Sequence, residues 1–192
     1  MIKDTLARNT NKSDITIRTA VPADGSGIAK VHAYTWWSSY QSFMPKEYLE
    51  DRIINIENAT LKFTNCINTK HNCLVAEVGN EIVGILYFMP AKDPKYAKCG
   101  EIKGVYVLER FQRMGIGKRL FIAGIKALLE HRYKDMIINV VQANTKGKNF
   151  YLKLGGEVVG EFESTFGGVT LKQDVIYYKD IQALYEKLTA KK

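Results

Sequence analysis

Residues 112–117 read Gln-Arg-Met-Gly-Ile-Gly, between a strand-like run at 101–107 and a long apolar-periodic segment at 116–131. A strand, a glycine-bearing turn and a helix leave backbone N–H groups without partners at the helix N-terminus, where the helix dipole also favours negative charge. Such an end binds phosphate. Arg113, Lys118 and Arg119 add positive charge to it. A Walker A loop needs Gly six positions before its Lys and Ser or Thr after it, and Gln112 and Arg119 stand at those places. A dinucleotide fingerprint needs a third Gly where Leu120 stands. Two readings remain: a phosphate cradle of another class, or a plain glycine turn.

The pattern Gln112-x-x-Gly115-x-Gly117 after a strand resembles the pyrophosphate loop of the GNAT superfamily, the acetyl-CoA-dependent N-acetyltransferases. Residues 105–113, Val-Tyr-Val-Leu-Glu-Arg-Phe-Gln-Arg, resemble that family's strand and lead-in. Residues 144–155, Asn-Thr-Lys-Gly-Lys-Asn-Phe-Tyr-Leu-Lys-Leu-Gly, resemble its later Asn…Phe-Tyr-x-Lys-Leu-Gly block. Residues 35–45, Thr-Trp-Trp-Ser-Ser-Tyr-Gln-Ser-Phe-Met-Pro, resemble a segment of many small bacterial members. The likeness extends over about residues 15–181.

The resemblance implies an α/β fold: one mixed, mostly antiparallel central sheet with a splayed parallel strand pair and helices on both faces. It implies that pantetheine of acetyl-CoA enters the splay beside Val105, Tyr106 and Val107 and pairs with exposed backbone groups, a form of β-augmentation. Pyrophosphate would lie on the N–H groups of Gln112, Arg113, Met114, Gly115, Ile116, Gly117 and Lys118, with Asn144 and Lys148 also near the cofactor. Tyr151 matches the family Tyr that protonates departing coenzyme A; alternatively it is a core aromatic beside Phe150. Asn144 contacts the cofactor or caps the following helix, or does both. Glu101, eleven residues before Gln112, stands where several members place a general base. The alternative is a solvated glutamate at a strand start. On an alternating strand Glu101 would share a face with Lys103, Val105 and Val107. A backbone N–H near Val107 or Leu108 would hold the thioester oxygen. Trp36, Trp37, Tyr40 and Phe43 are candidates for the acceptor wall, where aromatic rings flank an alkyl-ammonium; otherwise they are core. Two departures from the family pattern, Gly156 after Leu-Gly and Trp36-Trp37 in place of Trp-Arg, fall on the acceptor side.

The elements that must carry these residues are legible in outline. Residues 15–18 alternate as a strand, and Asp24 is placed to cap a helix over 26–39. Pro45 opens a second helix, whose continuation through Leu61, Phe63 and Ile67 is open. Strands at 74–78 and 81–88 flank Gly79-Asn80, a tight-hairpin signal. The segment 116–131 is apolar around most of its circumference, as a crossover helix on a sheet would be. A returning strand at 136–141, a short helix at 145–154, strands at 157–163 and 175–178 around Gly167-Gly168, and a helix capped by Asp180 through 188 complete the chain.

With 192 residues, 46% of them hydrophobic, the chain is expected to form one domain after a loose lead-in at 1–13. No signal-peptide core or membrane-length apolar run is present. Cys66, Cys73 and Cys99 lack metal or disulfide spacing, and His32, His71 and His131 are scattered. Reduced thiols, a cytoplasmic setting and no metal are the expectation. The net charge of +8 is uneven: residues 1–95 carry 11 basic and 10 acidic side chains, residues 96–192 carry 17 and 10. The basic half holds the phosphate loop, which suits coenzyme A. Nucleic acid is the competing partner but finds no motif here. The resemblance thus implies acetyl transfer to a primary amine of a small molecule or peptide by direct attack, with a non-catalytic acyl-CoA sensor as the alternative. A homodimer is compatible with the sequence.

Overall fold

The computed structural model describes residues 14–70 and 72–190. The lead-in at 1–13 and His71 lie outside them. Among the described residues seven strands form one sheet in the order β1-β2-β3-β4-β5-β7-β6: β1 Ile15–Thr19, β2 Cys73–Val78, β3 Glu81–Pro90, β4 Gly100–Val107, β5 Met136–Val141, β6 Glu157–Phe166 and β7 Val169–Tyr178. Every neighbouring pair is antiparallel except β4–β5. This is the mixed, mostly antiparallel sheet with one parallel pair that the resemblance implied.

The α-helices are α1 Gly25–Tyr40, α2 Lys46–Ile54, α3 Ile56–Lys70, α4 Ile116–Glu130, α5 Thr145–Lys153 and α6 Ile181–Thr189. In α4 the buried residues Ile116, Leu120, Phe121, Ile125 and Leu128 recur at helical spacing and seal one face of the sheet. Consecutive strand residues place helices on both faces. Val105 points toward Gly117 of α4, while the Tyr106 ring lies 5.3 Å from that of His32 in α1.

Several boundaries differ from the sequence reading. The chain leaves helical geometry at Asn55 (φ −91°, ψ 26°), so the segment after α2 is a separate helix, α3. Strand β7 begins at Val169 rather than 175. Gly167 and Gly168, both at positive φ, form a two-residue turn that pairs Phe166 with Val169 and draws the polar stretch that follows into the ladder. The Asp24 carboxylate does not cap α1. It accepts from the Val21 N–H at 2.8 Å and pairs with Arg18, whose guanidinium holds it below the usual carboxylate range. Asp180 does cap α6, accepting from Ala183 N–H at 3.1 Å.

Candidate active site

Strands β4 and β5 pair only at Gly100–Met136 and Glu101–Ile137. Beyond that, β4 stays with β3 and β5 stays with β7, and the two part company. A bulge marks the start of the split: Phe88 pairs with Ile102 and Tyr87 with Gly104, leaving Lys103 as the extra residue. The bulge inverts the alternation that the sequence suggested. Ile102 and Val105 both turn to the α4 side, while Tyr106 turns to α1. Glu101 therefore shares its face with Tyr106, not with Val105 and Val107.

Into the gap comes α5. Its N-cap is Asn144, whose Oδ1 accepts from Gly147 N–H at 3.0 Å, so the capping role holds. The helix carries Tyr151, 6% exposed, to the open edge of β4. There the Val105 N–H donates to the Tyr151 hydroxyl at 3.2 Å. This is the donor that a continuous β5 would have taken. Burial pushes the Tyr151 phenol above its ordinary range, the Val105 N–H offsets part of this, and nearby Tyr106 adds to it. Tyr151 is thus a neutral hydroxyl at neutral pH. Tyr178 fixes it from behind by donating to its carbonyl at 2.8 Å. A side chain at position 156 would put its Cβ 2.4 Å from Ile176 and 2.8 Å from the Tyr178 ring. Close packing behind Tyr151 therefore accounts for Gly156, the departure assigned from sequence to the acceptor side.

By alternation, Val107 N–H also faces the gap. The Leu108 N–H does not, because it donates to Val83 O at 2.9 Å; of the two expected oxyanion donors, Leu108 is ruled out. The Val107 carbonyl accepts from Gln112 Nε2 at 3.0 Å, so the Gln112 side chain braces the loop from inside. The loop turns through left-handed backbone at Arg113 (φ 67°) and Gly115 (φ 86°) before α4 begins at Ile116. Arg113 and Lys118 are exposed, and Met114 packs on the core. At Gly115 an added Cβ would meet nothing within 4 Å, and at Gly117 nothing closer than the Phe150 ring at 3.5 Å. Internal packing therefore does not require glycine at 117. Lys148, expected near the cofactor, pairs with the buried Asp174 at 2.5 Å.

Glu101 sits at the last paired position before the split and is 2% exposed, not a solvated strand start. Its Oε1 accepts from Lys103 Nζ at 2.7 Å and from Asn139 Nδ2 across the gap at 3.0 Å. Asn139 Oδ1 is buried without a partner, so one polar acceptor stands open beside this carboxylate.

The expected acceptor wall comes together on the same face. Trp36 and Tyr40 are buried with Met44, Leu49 and Val141, and Phe43, Tyr48, Tyr106 and Phe166 pack around them. The tip of the β6–β7 hairpin closes over this cluster, Phe166 lying 5.8 Å from Trp36 between ring centroids. Tyr40 lies beside Asn144, which links the cluster to the start of α5. Trp37 stands at the cluster's margin and also lines an open cleft of about 850 Å³ with Arg18, Tyr34 and Arg110. That cleft includes neither Tyr151 nor Glu101.

Sequence reasoning missed His32, Tyr48, Arg52 and Asn139. The imidazole of His32 lies within 5.7 Å, centroid to centroid, of Trp36, Phe63 and Tyr106. Burial, helped by the charge of Arg52, pushes its pKa down to about 4, so it is neutral. Its place four residues before Trp36, which is four before Tyr40, was the available signal for an aromatic stripe on α1. No group of three or more His, Cys, Asp or Glu side chains that could hold a metal occurs among the described residues.

Comparisons with known proteins show the family and the fold. The sequence matches the Acetyltransferase (GNAT) family over residues 32–156. An uncharacterized N-acetyltransferase of Bacillus subtilis, YuaI, is 29% identical over 170 residues, covering 88% of this chain and 96% of its own length. A probable N-acetyltransferase of Mycobacterium tuberculosis, Rv2775, is 31% identical over 144 residues, covering 73% of this chain and 79% of its own. Among solved structures, the PaiA N-acetyltransferase of Thermoplasma acidophilum in complex with coenzyme A superimposes with a TM-score of 0.68 at 20% identity, covering 86% of this chain and 98% of its own. YncA of Salmonella typhimurium with its cofactor acetyl-CoA gives 0.65 at 18% identity, covering 86% and 94%. The chain belongs to the GNAT family, acetyltransferases that take the acetyl group from acetyl-CoA and pass it to an amine.

Proposed function

We propose that the β4–β5 gap is the acyl-transfer site, that the 112–118 loop takes the pyrophosphate of acetyl-CoA, and that the acetyl group passes directly to a primary amine in a ternary complex. The observation that carries this reading is the Val105 N–H held by the Tyr151 hydroxyl at the mouth of the split. An amide of the pantetheine arm has an open strand edge to pair with, and the hydroxyl that vacates the N–H is left beside the sulfur end of that arm. The glycine positions fit the same ligand, since at the helix N-terminus Gly115 faces open space and Gly117 is not crowded by its neighbours.

The chain's own groups then meet two proton demands. An alkyl-ammonium with a pKa near 10.4 is only about one part in a thousand neutral at pH 7, so a base must take its proton. Glu101 receives it, through water if the amine stops short of the buried carboxylate, and Asn139 and Lys103 hold the carboxylate in place. Val107 N–H meets the negative charge that develops on the acetyl oxygen as the C–N bond forms. As the C–S bond breaks, Tyr151 donates its proton to the departing thiolate. The neutral phenol is the form needed.

The free cysteines, with Cys66 exposed, suit a reducing cytoplasmic setting. No helix among the described residues is long and apolar enough to cross a membrane. Strand β6, at the sheet edge with Val158, Val159 and Phe162 exposed, is the surface a homodimer would use. The test of the reading is calorimetric titration with acetyl-CoA in the absence of nucleic acid, followed by thiol release over an amine and peptide panel. Binding without any thiol release would leave a sensor, and no binding would remove the reading altogether.

A further inference from the structure

Arg52 of α2 is a cation packed into the acceptor wall. Its Cζ lies 3.8 Å over the Trp36 ring and 4.9 Å over that of Tyr48, and its Nη2 donates to the Tyr48 hydroxyl at 2.8 Å. Its Nε is buried without an acceptor. Among the described residues no carboxylate lies within ion-pair distance of it. On its own helix Glu50 pairs with Lys46, and Asp51 accepts from Asn55. His32, its titratable neighbour, is neutral. A guanidinium held by two rings and one hydroxyl still lacks a counter-charge, and a buried N–H without an acceptor is costly. Its charge reaches His32, Tyr40 and Tyr106, and Tyr106, in the same cluster as Trp36 and Tyr48, follows Val105, whose N–H meets the Tyr151 hydroxyl. Arg52 therefore stacks on the ring cluster that Tyr106 joins to the acyl-transfer strand.

We propose that Arg52 recognises a carboxylate on the acceptor, so that the substrate is an amine that also bears a carboxylate, as a free amino acid does. This rests on the reading of the β4–β5 gap as the acyl-transfer site. Trp36 cannot offer the face that already carries Arg52 to an alkyl-ammonium. A second cation there, such as the far amine of a polyamine, meets like charge. A carboxylate instead supplies the missing counter-charge, and the guanidinium is shaped to donate to carboxylate oxygens.

The experiment measures thiol release with acetyl-CoA across the free amino acids, their carboxamides and their decarboxylated amines, for the wild type, Arg52→Gln and Arg52→Lys. Calorimetry with acetyl-CoA is run on each. The wild type is expected to favour the carboxylate form over the matched carboxamide by at least about tenfold in kcat/KM, the difference falling on KM. Arg52→Gln should bring that ratio toward one and Arg52→Lys should leave it intermediate, with acetyl-CoA affinity retained in both. Equal use of acid and carboxamide by the wild type, a ratio unmoved in Arg52→Gln, or acetyl-CoA binding without turnover of any amino acid would overturn the assignment of Arg52. Failure of wild-type acetyl-CoA binding would instead overturn the site reading beneath it.

Discussion

Replacing His32 with Leu should remove a specific part of the acid sensitivity of the fold. In the unfolded chain His32 has an ordinary pKa of about 6.5, while in the folded chain it is pushed down to about 4, by burial first and then by Arg52. Between these values the unfolded state binds the proton and the folded state does not. The stability contributed by neutral His32 is therefore fully present above about pH 6.5 and lost as pH falls toward 4. Linkage over this shift gives a loss of about 2.5 kcal/mol between pH 7.5 and pH 4.5. Urea unfolding at the two pH values, for wild type and His32→Leu, isolates it. The packing cost of the substitution is common to both pH values, and the other titrating groups are common to both proteins. The wild type should lose about 2.5 kcal/mol more than the variant on acidification. A difference under about 0.5 kcal/mol, or an imidazole that titrates near its ordinary value by NMR, would refute the claim that the aromatic box excludes the charged form.

Three further outcomes follow from the site. Gly117→Ala places a methyl no closer than 3.5 Å to Phe150 and should raise stability by up to about 1 kcal/mol; acetyl-CoA affinity by calorimetry should nonetheless fall, and unchanged affinity would remove the phosphate role of this loop. Glu101→Gln should slow turnover most near neutral pH and recover part of it at higher pH, where more acceptor is already neutral; an acidic limb of the pH–rate profile that does not move would place the base elsewhere. Tyr178→Phe removes the donor to the Tyr151 carbonyl, which still accepts from Leu154 N–H. It should cost about 1 kcal/mol in thermal unfolding and lower kcat with little change in acetyl-CoA affinity; an unchanged kcat would mean that Tyr151 needs no support from β7.

What was legible in the sequence was local or periodic. The apolar stripe of α4, the alternation of β1, the Gly79-Asn80 and Gly167-Gly168 turns and the Asn144 and Asp180 caps depend on neighbours in the chain, and each stands in the structure. The glycine loop and the Tyr151 block stood out as candidates because they are contiguous motifs. What was hidden depends on contacts between distant segments. The bulge at Lys103 arises from the register against β3, and it reversed the face of Glu101. Asp24 is claimed by Arg18 across the β1–α1 turn, and Lys148 by Asp174 on β7. No motif marks Arg52 in the sequence; only the packing of α2 against α1 lays it on Trp36.

The most direct test of the central claim is single-turnover thiol release by Tyr151→Phe with an identified amine and saturating acetyl-CoA. The substitution removes one oxygen from a side chain that is 6% exposed and keeps its ring contacts with Phe121 and Phe150. The expected result is a rate lower by roughly 10²–10⁴-fold, with acetyl-CoA affinity close to that of the wild type. A variant that releases thiol at the wild-type rate, with chemistry limiting, would show that the hydroxyl at the mouth of the β4–β5 gap is not the acid.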